Sequence, residues 1–70
     1  MKILAYKTVS YEDAIDAVIC AENKLPIKNN LSVNYSYGRN GPVAVVEPLD
    51  LDEANLTGEE NENYVVIRKS

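Results

Sequence analysis

The sequence predicts an α+β fold, in which a mostly antiparallel sheet of about four strands carries one helix on one face. Three observations lead to this prediction: one amphipathic segment with helical period, one segment that alternates between apolar and polar residues, and further segments rich in β-branched residues. The predicted order is β-α-β-β-β, with an acidic connection at about 48–63 before the last strand. Seventy residues suffice for a single domain, 1–70.

The first strand and the helix are predicted from the N-terminal third of the chain. Residues 2–9 mix aliphatic, aromatic and β-branched side chains, which is typical of a strand. Ser10 can cap a helix that begins at Tyr11, with acidic residues in its first turn. We predict a helix over about 11–24, ended by Pro26. Its predicted buried stripe consists of Tyr11, Ala14, Ile15, Val18, Ala21 and Leu25.

A hairpin is predicted over residues 31–47. The segment from Leu31 to Tyr37 alternates apolar and polar residues, and two glycines with Asn40 supply the turn that follows. We expect Tyr35 and Tyr37 to lie in the core rather than on an interface. The second arm, 43–47, ends at Pro48, and the last strand spans 64–68. Residues 50–56 are open to two interpretations, a single helical turn or an irregular loop.

The residue inventory excludes most catalytic chemistries. The chain has no histidine, which removes Ser-His and Cys-His pairs and histidine metal ligands. No glycine-rich phosphate loop is present, and Cys20 is interpreted as an incidental free thiol. The segment beginning at Asp50 departs from the calcium-loop pattern at Ala54 and Asn55. We therefore predict no catalytic residue, no cofactor and no metal site, and a protein that is not an enzyme.

The charges are separated along the chain. Residues 40–67 contain seven acids and no base, whereas the remainder contains seven bases and four acids. Without a basic cluster, direct binding of nucleic acid is not expected. No apolar run is long enough for a membrane span, and we expect a cytoplasmic protein. The seven acids form the predicted partner-binding set: Glu47, Asp50, Asp52, Glu53, Glu59, Glu60 and Glu62.

These observations favour a small non-enzymatic protein-binding module. An acidic surface attracts a partner protein with a basic surface, and in one version the module is an inhibitor or a nucleic-acid mimic. Two alternatives stay open: a solvated connection that only keeps the protein soluble, and a structural or assembly protein that acts through homo-oligomerisation. We also expect a homodimer, because a small domain without disulfide or metal often needs a partner chain for stability.

Overall fold

A computed structural model describes residues 1–69 and shows one helix and one four-stranded sheet. The sheet order is β2-β3-β1-β4; β1 and β3 are parallel, and the other two pairs are antiparallel. The α+β class and the mostly antiparallel sheet are thus confirmed. The elements are β1 (Lys2–Tyr6), α1 (Tyr11–Glu22), β2 (Leu31–Gly38), β3 (Gly41–Pro48) and β4 (Tyr64–Arg68).

Strand β1 lies in the interior of the sheet, and its three central residues are buried. It ends at Tyr6 rather than at Val9, because the chain turns there and the Val9 N–H donates to the Tyr6 carbonyl at 2.9 Å. Buried strands that are flanked on both sides need apolar side chains on both faces. The sequence of β1, with Ile3, Leu4 and Ala5 in succession, satisfies this requirement.

Helix α1 begins where the sequence predicts. The Ser10 hydroxyl accepts a hydrogen bond from the Asp13 N–H at 3.2 Å, which satisfies an amide that the helix leaves unpaired. The helix ends at Glu22, two residues earlier than predicted, and Lys24 adopts a left-handed conformation with φ 58°. Left-handed residues commonly close helices at this position.

The buried face of α1 differs from the predicted stripe at both ends. Ala14, Ala17 and Val18 are buried, whereas Tyr11 and Leu25 are 60% and 57% exposed. The two alanines let the helix backbone approach the sheet closely, so contact is centred on the middle of the helix. The predicted core positions of Tyr11 and Leu25 are therefore wrong: Tyr11 lies at the first helical residue and Leu25 beyond the last.

The two faces of the sheet carry separate cores. We call the face toward α1 the helix face; its core comprises Ile3, Ala5, Leu31, Ala44 and Val46 together with the buried helix residues. The opposite face, here the loop face, has a core of Leu4, Val43, Val45 and Tyr64, against which Leu51 of the acidic connection packs. One side of the sheet is thus covered by a helix and the other by the acidic connection.

Two further predictions are settled by the hairpin and the connection. Tyr35 and Tyr37 are 55% and 80% exposed, so their predicted place in the core is wrong. They lie on β2, an outer strand of the sheet, toward its hairpin end. Residues 50–56 form an irregular loop without a helical turn. Within residues 1–69, no helix has the length and apolar character needed to cross a membrane.

Candidate functional site: the acidic connection

The seven carboxylates of the predicted partner-binding set fall into two groups. Glu47 belongs to β3 and is only 7% exposed. The other six follow β3 in the acidic connection. Five of these are exposed and Glu59 is half-buried; the six are Asp50, Asp52, Glu53, Glu59, Glu60 and Glu62.

Glu47 points inward because of its place in β3. Side chains alternate along a strand, so residue 47 shares the loop face with Val43 and Val45. The Tyr64 hydroxyl donates to its Oε2 at 2.7 Å, and Asn34 Nδ2 donates to its Oε1 at 3.3 Å. Both carboxylate oxygens are therefore used inside the protein, as a buried carboxylate requires. The acidic surface that faces solvent consists of the other six residues, of which five are exposed and Glu59 is half-buried.

Tyr64 connects Glu47 to the acidic connection. The residue is 4% exposed, and its ring packs edge-on against that of Tyr6, with centroids 5.2 Å apart. The hydroxyl accepts a hydrogen bond from the Asn55 N–H at 3.1 Å while it donates to Glu47. Burial, followed by the hydrogen bond and the negative charge of Glu47, raises the pKa of Tyr64 to about 12. The hydroxyl therefore remains a donor across the neutral pH range.

Asn55 organises the middle of the acidic connection. It is buried, its Nδ2 donates to the Glu59 carbonyl, and its Oδ1 accepts from the Thr57 hydroxyl at 2.8 Å. Gly58 has φ +70° and lies against β2: a Cβ on it would come within 3.3 Å of Ser36 Oγ. These contacts fix residues 55–59 on the loop face; Glu59, the one charged residue among them, is half-buried.

The last part of the acidic connection covers the outer edge of β4. The backbone N–H and carbonyl of Tyr64 pair with the carbonyl and N–H of Asn61 at 3.4 and 3.2 Å. Glu60 Oε2 accepts from the Val66 N–H at 3.4 Å. Exposed strand edges invite pairing with other chains, and proteins commonly cover them. Residues 60 and 61 cover the first part of the β4 edge in this way, from Tyr64 to the N–H of Val66.

Few cations balance the exposed carboxylates. The ion pair between Arg39 Nε and Glu59 Oε1 spans 3.7 Å, and its arginine side chain is 85% exposed, so it contributes little stability. Within residues 1–69, the other five carboxylates of the connection form no ion pair. Their charges are therefore displayed to solvent without local neutralisation.

The acidic connection is suited to presenting negative charge to a partner. No group of three potential metal ligands comes together within residues 1–69. Cys20 is half-buried on α1, on the helix face rather than beside the connection. The connection carries six carboxylates, and the buried Tyr64 hydroxyl bonds to its backbone at Glu53 and Asn55; carboxylates held on a fixed backbone can bind cationic groups.

Sequence reasoning missed Asn55 and Tyr64 as the residues that fix the acidic connection. Asn, Thr and Gly within four positions, as in Asn55-Leu56-Thr57-Gly58, form a typical turn signal, because Asn and Thr side chains bond nearby backbone groups. Tyr64 offered a weaker signal: a tyrosine at the start of a strand whose hydroxyl needs a partner when buried.

Comparisons of the chain with protein-family models, with curated proteins and with solved structures gave no significant match.

Proposed function

We propose that the protein is a non-enzymatic binding module that presents the exposed carboxylates of its acidic connection to a basic surface of a partner protein, in the cytoplasm. The observation that supports this most is the combination of order and charge. The connection is fixed to the loop face through Glu47, Tyr64 and Asn55, while its acids point outward.

Fixed charges bind better than mobile ones. A flexible acidic loop loses conformational entropy when it is immobilised by a partner, whereas a pre-ordered loop loses little. Oriented negative charges also accelerate the encounter with a basic surface and select against acidic ones. An ordered connection is thus a more effective binding surface than its charge alone would suggest.

A specific version of this proposal is inhibition by nucleic-acid mimicry. A row of carboxylates can occupy a groove whose lysine and arginine side chains normally contact phosphates, because affinity for the nucleic-acid backbone depends chiefly on those cations. In this version the partner is a nucleic-acid enzyme, and the module competes with its substrate.

The test uses two variants that change net charge equally. The connection variant carries Asp50→Asn, Asp52→Asn and Glu53→Gln; no side chain of these three is hydrogen-bonded in residues 1–69. The helix variant carries Glu12→Gln, Asp16→Asn and Glu22→Gln, three exposed positions of α1. Each variant removes three negative charges, so a difference in partner binding between them shows that the position of the charges matters and not only the net charge.

The measurement is capture of proteins from native cell extract by the tagged protein, at low and raised salt, with mass spectrometry of what is retained. We expect wild type and the helix variant to retain the same basic protein at low salt, and raised salt to release it, since exposed charges are screened over about 10 Å at 0.1 M. The connection variant should lose it. Equal retention by both variants would contradict the proposal, as would equal loss.

Competition distinguishes the inhibitory version from simple binding. If the retained protein is a nucleic-acid enzyme, added nucleic acid should displace the module, and the module should inhibit the enzyme. The connection variant should inhibit less than the helix variant. A retained enzyme that binds the module and nucleic acid simultaneously would exclude mimicry.

A further inference from the structure

The two outer strands of the sheet differ in how their free edges are treated. On the outer edge of β4, Asn61 bonds to the N–H and carbonyl of Tyr64, and Glu60 accepts from the N–H of Val66. β2, at the other end of the order β2-β3-β1-β4, has eight residues and pairs on one side only, with β3.

Two prolines in β3 determine which backbone groups of β2 face the open side of the sheet. In an antiparallel pair, residues alternate between pairs that exchange both backbone hydrogen bonds and pairs that exchange none. Pro42 lies opposite Tyr37 and Pro48 opposite Leu31, and proline has no N–H to exchange. The pairs that contain Pro42 and Pro48 are therefore pairs without hydrogen bonds. Because the two kinds of pair alternate, the pairs that contain Val33 and Tyr35 are also without hydrogen bonds.

The next pair beyond Pro48 agrees with this alternation. The Leu49 N–H donates to the Asn30 carbonyl at 2.8 Å, as expected of a hydrogen-bonded pair adjoining Leu31 and Pro48. The N–H and carbonyl groups of Val33, Tyr35 and Tyr37 consequently point away from β3. Within residues 1–69 they have no hydrogen-bond partner.

The chemistry of β2 fits a second copy of the same strand. Residues 31–38 contain no charged side chain and no proline, the two features by which proteins usually protect an edge. A pair of identical strands would place no like charges together, although each chain carries a net charge of −4. Of the acids of the connection, Glu59 lies nearest to β2, and it is paired with Arg39 in the turn that follows the strand; Glu60 lies at the β4 edge.

We propose that two copies of the chain pair antiparallel through β2, around a two-fold axis, to form one continuous eight-stranded sheet. The outward N–H and carbonyl groups of Val33, Tyr35 and Tyr37 then form backbone hydrogen bonds with the β2 strand of the other copy. Since these residues also share the helix face, Tyr35 and Tyr37 meet tyrosine or valine side chains across the interface. This inference goes beyond the binding function and is independent of it.

Amide hydrogen exchange of the wild-type protein tests the pairing directly. Between dilute and concentrated solution, the N–H groups of Val33, Tyr35 and Tyr37 should slow by roughly tenfold or more, while those of Asn34 and Ser36, already bonded to β3, should change much less. Analytical ultracentrifugation should show a change from monomer to dimer over the same concentration range. A monomer at near-millimolar concentration, or a dimer in which the odd-numbered amides stay fast, would overturn the proposal.

A pair of matched substitutions adds a second readout. Tyr37→Lys introduces a charge at the proposed interface, and Tyr11→Lys makes the same change at an exposed site on α1. We expect Tyr37→Lys to weaken the dimer at least about tenfold, because the lysine ammonium would face tyrosine or valine side chains and lose water without gaining a charged partner, and Tyr11→Lys to leave it unchanged. Equal dimer affinity in the two variants would contradict pairing through β2. Circular dichroism confirms that both remain folded.

Discussion

The two faces of the sheet are closed by different means. The helix face is filled with aliphatic side chains and small alanines from α1 and the strands. The loop face also has an apolar core, but its cover is an acidic segment that is fixed to the sheet by polar groups, Glu47, Tyr64 and Asn55. Hydrophobic packing is tolerant of small changes in shape, whereas a buried polar cluster is stable only when every member has its partner.

This difference shows how an acidic segment can serve two purposes. The buried carboxylate of Glu47 and the backbone of the connection complete the fold, and the exposed carboxylates remain free for a partner. Fold and proposed function therefore use different residues of one stretch, and substitutions can separate them.

The largest expected effect comes from Glu47→Ala. It leaves the Tyr64 hydroxyl and the Asn34 amide without their acceptor, and we expect the free energy of unfolding to fall by about 3 kcal/mol. The control is Glu47→Gln, which keeps an acceptor oxygen for Tyr64 and should cost about 1 kcal/mol. Urea unfolding followed by circular dichroism measures both. A Glu47→Ala variant as stable as wild type would show that the buried carboxylate does not hold the loop face.

An alkaline transition should follow from Tyr64. A pKa raised from 10.0 to about 12 means that the folded state holds the proton more tightly. The stabilisation is complete below pH 10 and is lost as the pH rises through about 12. We expect a loss of about 2–3 kcal/mol across this window, at about 1.4 kcal/mol per pH unit.

Tyr64→Phe provides the matched control for that transition. Other tyrosines and lysines also titrate in this range, so the informative quantity is the difference between wild type and variant. The variant should be less stable at neutral pH by about 1–2 kcal/mol, because Glu47 and the Asn55 N–H lose a partner. The stability gap should narrow above pH 10. A constant gap would mean that the hydroxyl is not protected in the fold.

The smallest expected effect lies on the helix face. Ser10→Ala removes the N-cap of α1 and should lower the free energy of unfolding by about 1 kcal/mol. Amide exchange in the acidic connection should not change relative to the global stability, because the cap contacts only the helix. Selective opening of the connection in this variant would show that the two faces are coupled.

Much of the fold could be predicted from local patterns. Ser10 with the following acids located the start of α1, and the alternation from Leu31 to Tyr37 located β2. These signals are local, since capping and side-chain alternation depend on neighbouring residues. The parallel pairing of β1 with β3 was not specified, because it depends on where α1 returns the chain.

The candidate site could be predicted only in part. The acidic segment was evident, but Glu47 was grouped with it by charge, although the alternation along β3 assigns it to the buried side with Val43 and Val45. The exposure of Tyr35 and Tyr37 depends on β2 being an outer strand, and strand order is a property of the whole chain. Asn55 was missed because its role depends on the buried Tyr64 hydroxyl.

The most direct test of the central claim is the backbone order of residues 49–63, measured by ¹⁵N relaxation in the wild-type protein. If Glu47, Tyr64 and Asn55 hold the acidic connection on the loop face, residues 55 to 61 should have order parameters near those of the strands, about 0.8 or higher. Values below about 0.6 throughout the connection would contradict the account, because the carboxylates would then belong to a flexible loop rather than to a fixed binding surface.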